Sequence, residues 1–234
     1  MNLSTKYVPN DSLLSEIFQE LETPSRKRVS IFTCSASDHK KLEESLKMSV
    51  PIANLKSAIE DAADTAISWA YNAIARLRVS PRTAATINTF KNCFVKPPDW
   101  QPPWKTNAMK WIDFGDLIAT RLEDAAKILN GGWIKYNCIE NAAHCPECAS
   151  LSTYWACSSF KGKYVICLGK DFWEAWRLRD FDSLAITLLH EALHIYFRKT
   201  VAHSGRSGNA YCYERFVLTV NNRTIPKIVT DSCP

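Results

Sequence analysis

Between residues 51 and 220 the apolar positions recur at spacings of three and four over several stretches, and each stretch predicts a helix. Over 51–78 the stripe is Leu55, Ile59, Ala62, Ala66, Ala70, Ile74 and Leu77. Pro51 suits its first turn, Ser80-Pro81 ends it, and its many alanines let another helix approach closely. A shorter helix is predicted over 83–94. Another runs over 116–129, with Leu117, Ile118, Leu122, Ala125, Ala126 and Leu129 on one side and Asn130-Gly131-Gly132 as its stop. Two more are predicted over 181–197 and 209–220, and a short one over 12–21. Runs of β-branched and aromatic residues predict brief strands at 29–33, 133–138 and 164–168. The pattern is that of a mainly α protein with a small β-sheet, an α+β fold. We read 1–50 as a poorly defined N-terminal segment and 51–234 as one domain. Its helical part covers 51–130, and its cysteine-rich, chemistry-bearing part covers 131–234.

Composition changes this picture little. The 234 residues are 46% hydrophobic and 23% charged, which suits a globular chain with a real core. A net charge of +5 is mild, and the short basic clusters read as solvated faces, so nucleic acid is not expected as a partner. No run of 18 apolar residues predicts a membrane span. Residues 1–10 lack the apolar region of a secretory signal. Localisation is left among retention, export by a route that needs no such signal with action in a target cell, and a leader already removed. Pro97, Pro98, Pro102 and Pro103, set among Trp100 and Trp104, form a connector. It is either a polyproline ligand or a loop pinned by its tryptophans. The nine cysteines are many for this length, and Cys138, Cys145, Cys148, Cys157 and Cys167 crowd together. Disulfides, a second zinc site on the Cys145-x-x-Cys148 pair, or redox thiols would each account for them.

The chemistry gathers on the helix at 181–197. It contains His190-Glu191-Ala192-Leu193-His194, the pattern His-Glu-x-x-His. Residues four apart share a helix face, about 6 Å from one another, so one metal ion can take both imidazoles. Glu191 then stands beside a water acidified by Zn²⁺ and can take its proton. Apart from Tyr196, these three are the only ionisable groups between Asp182 and Arg198, and burying them is costly without a partner such as a metal. Asp182 or Ser183 is the expected N-cap. Phe172, Trp173 and Trp176, just upstream, offer apolar bulk for the wall of a site.

A catalytic zinc needs a third protein ligand and one open position. His203 stands nine residues past His194, and Glu214 twenty past it; Asp231 is more distant. His203 gives a His₃ site and is the expected ligand, with Gly205 and Gly208 freeing its loop. Glu214 gives the His₂Glu set of thermolysin-like enzymes. Tyr213 before it and Val217-Leu218 after it depart from that class, and Phe197 and Thr200 depart from the metzincin pattern. Tyr213 or Tyr211 is expected to donate to the oxyanion that forms in amide hydrolysis.

Tyr164-Val165-Ile166-Cys167-Leu168, then Phe172-Trp173, then the stretch from Leu188 to Phe197, resemble the deuterolysin-like, or aspzincin, metalloendopeptidases. In that family an Ile-x-Leu-Cys-x-x-Phe-Trp segment leads into Leu-x-His-Glu-x-x-His. Tyr136-Asn137-Cys138 is similar to the family's Tyr-x-Cys, and the residues from Asn209 to Phe216 to its Asn-Ala-Asp-x-Tyr-x-x-Phe. The resemblance spans roughly 51–222. It implies a zincin-like fold and zinc-dependent cleavage of peptide bonds. It also implies a third ligand near residue 203, and Tyr213 in the place of the family's tyrosine. The family's Gly-Thr-x-Asp is missing here, with His203 in its window, and Tyr211 stands at the Asp of Asn-Ala-Asp.

The expected activity is therefore that of a zinc metalloendopeptidase acting on proteins or peptides. His190, His194 and His203 bind Zn²⁺, and Glu191 is the general base. A secreted bacterial toxin or effector is one setting, with a delivery apparatus or cognate inhibitor as further partners. The competing reading is a non-catalytic binding module that zinc merely stabilises.

Overall fold

The computed structural model describes residues 31–103, 105–107, 109–139, 145, 155–159, 164–197 and 206–233. The expected helix at 12–21, along with Trp104, Cys148 and His203, lies outside them. Strand β1 is Ile31–Thr33, followed by helices α1 (Ala36–Leu46), α2 (Ile52–Arg78), α3 (Ala84–Phe94) and α4 (Phe114–Asn130). Then come β2 (Lys135–Asn137), β3 (Ala156–Ser159), β4 (Val165–Leu168), α5 (Lys170–Arg177) and α6 (Phe181–Phe197). A 3₁₀ turn (Arg206–Gly208), α7 (Ala210–Val220) and α8 (Lys227–Ser232) complete the order. Mainly helical with a four-stranded mixed sheet, the protein is α+β. No helix among the described residues is long and apolar enough to cross a membrane.

The strands lie in the order β1-β2-β4-β3. β1, β2 and β4 are parallel, and β3 pairs antiparallel with β4 at the far edge, Ser158 opposite Ile166. Successive side chains of a strand point to opposite faces. Tyr136, Ile166 and Leu168 join the main core, whereas Val165 and Cys167 form a small separate cluster with Cys145 on the other face.

The helices sit against the first face. α2, 27 residues and so about 40 Å long, buries Leu55, Ile59, Ala62, Ala63, Ala66, Ala70, Ala73, Ile74 and Leu77. It packs on α4, α6 and α7, and its alanine stripe permits the close approach. α4 starts two residues earlier than expected, because the Asp113 carboxylate accepts the backbone N–H of Asp116 and caps it. Asp113 also pairs with Arg82 through two hydrogen bonds of 2.8 and 2.9 Å, which ties the loop after α2 to the start of α4. The proline-rich connector packs onto this corner. Trp100 lies edge-on to Phe114, and Pro98 O accepts from Gly115, whose Cα has no room for a Cβ beside the Pro98 ring.

Residues 31–50 join the same body. β1 pairs with β2, and α1 rests on α5. Among the described residues, disulfides join Cys34 to Cys138, Cys145 to Cys167 and Cys212 to Cys233. Cys157 is disulfide-bonded as well, and the buried Cys93 keeps its thiol. The second-zinc reading is thereby corrected for Cys138, Cys145 and Cys157, since a sulfur held in a disulfide has no thiolate to give a metal. Phe172 and Trp173 are wholly buried in the core, not set along a cleft, and Trp173 Nε1–H donates to Cys138 O at 2.6 Å.

Candidate metal centre

α6 occupies the predicted span, and its stretch 188–195 is buried apart from the partly exposed His190. Its cap is neither Asp182 nor Ser183. The Asp180 carboxylate accepts the backbone N–H of Ser183 at 3.2 Å and its hydroxyl at 2.6 Å, outside the helix where a cap belongs. Four residues of helix bring the two imidazoles together. His190 Nε2 and His194 Nε2 lie 2.8 Å apart, with ring centroids 4.5 Å apart.

The other nitrogen of His190 is held from α7. Its Nδ1 is hydrogen-bonded to Glu214 Oε1, and the Glu214 side chain is 4% exposed. A carboxylate on Nδ1 fixes the tautomer that leaves the Nε2 lone pair for a metal. Glu214, one of the alternative third ligands, thus stands behind His190 as its orienting partner. Asp231, on α8, is exposed. Among the described residues no three His, Cys, Asp or Glu side chains are grouped to hold a metal ion. The described contribution is the converging pair of imidazole nitrogens, and it suits Zn²⁺ in chemistry: neutral, nitrogenous and oriented from behind. Burial lowers the His190 pKa, against the pull of Glu191, and so favours the neutral ring that a ligand must be.

Glu191 points from α6 towards the edge strand. Burial raises its pKa, and the nearby Glu214 charge adds to the rise. His190 and the hydroxyl and backbone N–H of Ser158, on β3, oppose it. A carboxyl with raised proton affinity, held by two donors, is suited to take up and release a proton.

The two tyrosines are not equivalent. The Tyr211 ring lies 4.7 Å from that of His190, and its pKa is raised by burial and by Glu214 and Glu191. Tyr213 is fully buried, packed on Phe94 and Phe197. Its hydroxyl donates to Ser207 O at 2.8 Å and accepts from Arg121 at 3.1 Å, and burial pushes its pKa up to about 12. It serves the packing of α7, which leaves Tyr211 as the tyrosine beside the imidazoles.

Sequence reasoning missed Ser158 and Arg121. Ser158 sits in a cysteine-rich stretch with no strand pattern, and Arg121 reads as one more polar position on α4. Arg121 donates to Ser207 O at 2.6 Å and lies 5.5 Å over the Phe197 ring, so one guanidinium joins the end of α6 to the turn before α7. Its hydrogen bonds are charge-assisted, each worth about 1.5–3 kcal/mol. Arg121→Met is expected to lower stability by about 2 kcal/mol in urea denaturation; an unchanged midpoint would mean the clamp contributes nothing.

Compared with known proteins, the chain matches no family model, no curated protein and no solved structure.

Proposed function

We propose that this protein is a zinc-dependent metalloendopeptidase with a zincin-like fold, akin to the deuterolysin-like enzymes its motifs resemble. The observation that carries the reading is the pair of Nε2 atoms 2.8 Å apart, with Glu214 behind one of them and Glu191 buried next to His190 on the same helix. His190 and His194 are the residues that would hold the ion, with His203 as the proposed third ligand. Bound zinc supplies Lewis acidity towards a carbonyl oxygen and brings a water's pKa near neutrality. Glu191 takes the proton of the attacking water and returns it to the departing amine nitrogen. Ser158 steers the Glu191 carboxylate, and Glu214 keeps His190 in register. Tyr211, protonated at neutral pH as any tyrosine is and with its pKa raised further by burial, is our proposed donor to the carbonyl oxygen as charge develops there.

A purely structural zinc site has no use for a buried carboxylate beside its ligands, so Glu191 weighs against a non-catalytic module. The disulfides support folding in an oxidising setting and so fit an exported enzyme acting on proteins or peptides outside the cytosol that made it.

The test is elemental analysis beside a cleavage assay on an unfolded protein substrate. One zinc per chain with cleavage is expected for the wild type, and loss of both for His194→Ala. Zinc retained at full stoichiometry by His194→Ala, or a wild type that binds zinc without cleaving any substrate offered, would sink the reading. Zinc lost from His203→Ala as well would complete the ligand set.

A further inference from the structure

α4 packs along α6, and Arg121 is a side chain that it extends to α7. The guanidinium stands where the end of α6 meets the turn before α7. On the α6 side it lies over the ring of Phe197, the last residue of that helix, and Tyr196 also draws on its charge. On the α7 side a single nitrogen, Nη1, donates both to Ser207 O and to the Tyr213 hydroxyl. The Tyr213 hydroxyl donates in turn to Ser207 O, so the three groups close a ring of hydrogen bonds. Among the described residues no Asp or Glu pairs with Arg121, so neutral acceptors orient it.

This ring of bonds adjoins the support of His190. Glu214 follows Tyr213 in α7, is 3% exposed, and holds Nδ1 of His190. Tyr211, two residues before Tyr213, sets its ring beside the same imidazole. α6 and α7 therefore meet at two polar points. One is Glu214 on His190. The other is Arg121 between Phe197 and Tyr213, seven residues and so about 10 Å further along α6.

The apolar side of α7, with Phe216 and Val217, fixes the helix in the core. Apolar contact is non-directional and tolerates a small slide or pivot. A hydrogen bond weakens steeply once it is out of line, and a metal ligand must be held to within about 0.5 Å. The second polar point removes the pivot that packing leaves.

We propose that Arg121 is a positioning residue for the metal centre: through Ser207 and Tyr213 it sets α7 so that Glu214 stays on Nδ1 of His190. This role presupposes the zinc site of the proposed peptidase, and it extends the support of His190 to a third helix, α4. Partners behind a metal-bound imidazole are worth about 10–100-fold in metal affinity, and Arg121 acts one contact further out.

The test is the zinc affinity of the full chain, measured by competition with a chromophoric chelator at a temperature where circular dichroism shows each variant folded. Arg121→Met is expected to bind zinc about tenfold more weakly than the wild type, and Glu214→Ala about 10–100-fold more weakly. The double variant is expected to match Glu214→Ala, because the effect of Arg121 reaches zinc through that carboxylate. Tyr213→Phe, which keeps the ring and loses the hydroxyl, is expected to fall between the wild type and Arg121→Met. Long-range proton–nitrogen NMR of the zinc-free chain adds a readout that lost stability alone leaves unmoved. His190 is expected to hold its proton on Nδ1 in the wild type and to divide it between Nδ1 and Nε2 in Arg121→Met. Equal zinc affinity of the wild type and Arg121→Met would overturn the proposal and leave the zinc site standing. So would losses that multiply in the double variant, or an unchanged His190 tautomer. A wild type that binds no zinc would overturn the zinc site and this role with it.

Discussion

Glu191→Gln is expected to keep one zinc per chain and an unchanged melting temperature while lowering peptide cleavage by about two to four orders of magnitude, the usual weight of a general base. Gln keeps the length of Glu and can still accept from Ser158, so packing is preserved. It also removes a buried carboxylate near Glu214, whose charge raises the Glu191 pKa, so the fold should not suffer. What it cannot do is carry a proton between water and amine. Cleavage retained within a few-fold would remove Glu191 from the mechanism. Cleavage lost together with zinc would mean that Glu191 shapes the metal site instead.

The second large effect concerns the frame. Cys34→Ser with Cys138→Ser opens a loop that spans 104 residues. The chain-entropy account assigns about 4.7 kcal/mol to closing a loop of about 100 residues, and measured losses commonly fall below that ceiling. We expect a loss of about 3–4 kcal/mol in urea denaturation of the double variant. Among the described residues, β1 pairs with β2 alone, over three residue pairs, so little else there holds the strand that this disulfide guards. The increase in backbone hydrogen exchange should be greatest in β1 and α1. A midpoint equal to that of the wild type would show that the strand pairing suffices.

Where an element buries a broad apolar stripe, the sequence reading matched the structure closely. α2 and α6 lie where the spacing of three and four places them, because tertiary burial and local pattern select the same residues. α1 escaped notice because it buries only Leu42 and Leu46 along eleven residues and owes its start to the Ser35 cap. Ser35 with Asp38 three positions on was a signal available in the sequence. β3, with the sequence Ala-Cys-Ser-Ser, carries no strand propensity and exists through its ladder with β4. Phe172, Trp173 and Trp176, expected as the wall of a site, lie on a helix, α5, whose Phe172, Trp173 and Ala175 are buried.

The site divides in the same way. His190, Glu191 and His194 are legible because one helix turn fixes their relation. The role of Glu214 is not, because twenty residues of spacing cannot distinguish a carboxylate beside the Nε2 atoms from one behind the ring. Tyr211 and Tyr213 sit two residues apart on one helix, and their different surroundings emerge only when α7 is packed against α3 and α6.

The parallel pairing of β1 with β2 also bears on the order of assembly. β3 and β4 are near neighbours in the chain, as are α5, α6 and α7, so their mutual contacts close short loops. β1 must instead wait for four helices to be in place before its partner strand is within reach. Closing a long loop costs entropy before any contact repays it, and distant pairings form slowly. The helical bundle and the hairpin that faces Glu191 close through shorter loops than the first strand does, so we expect the Cys34–Cys138 bond to form late in folding, on a body already largely built.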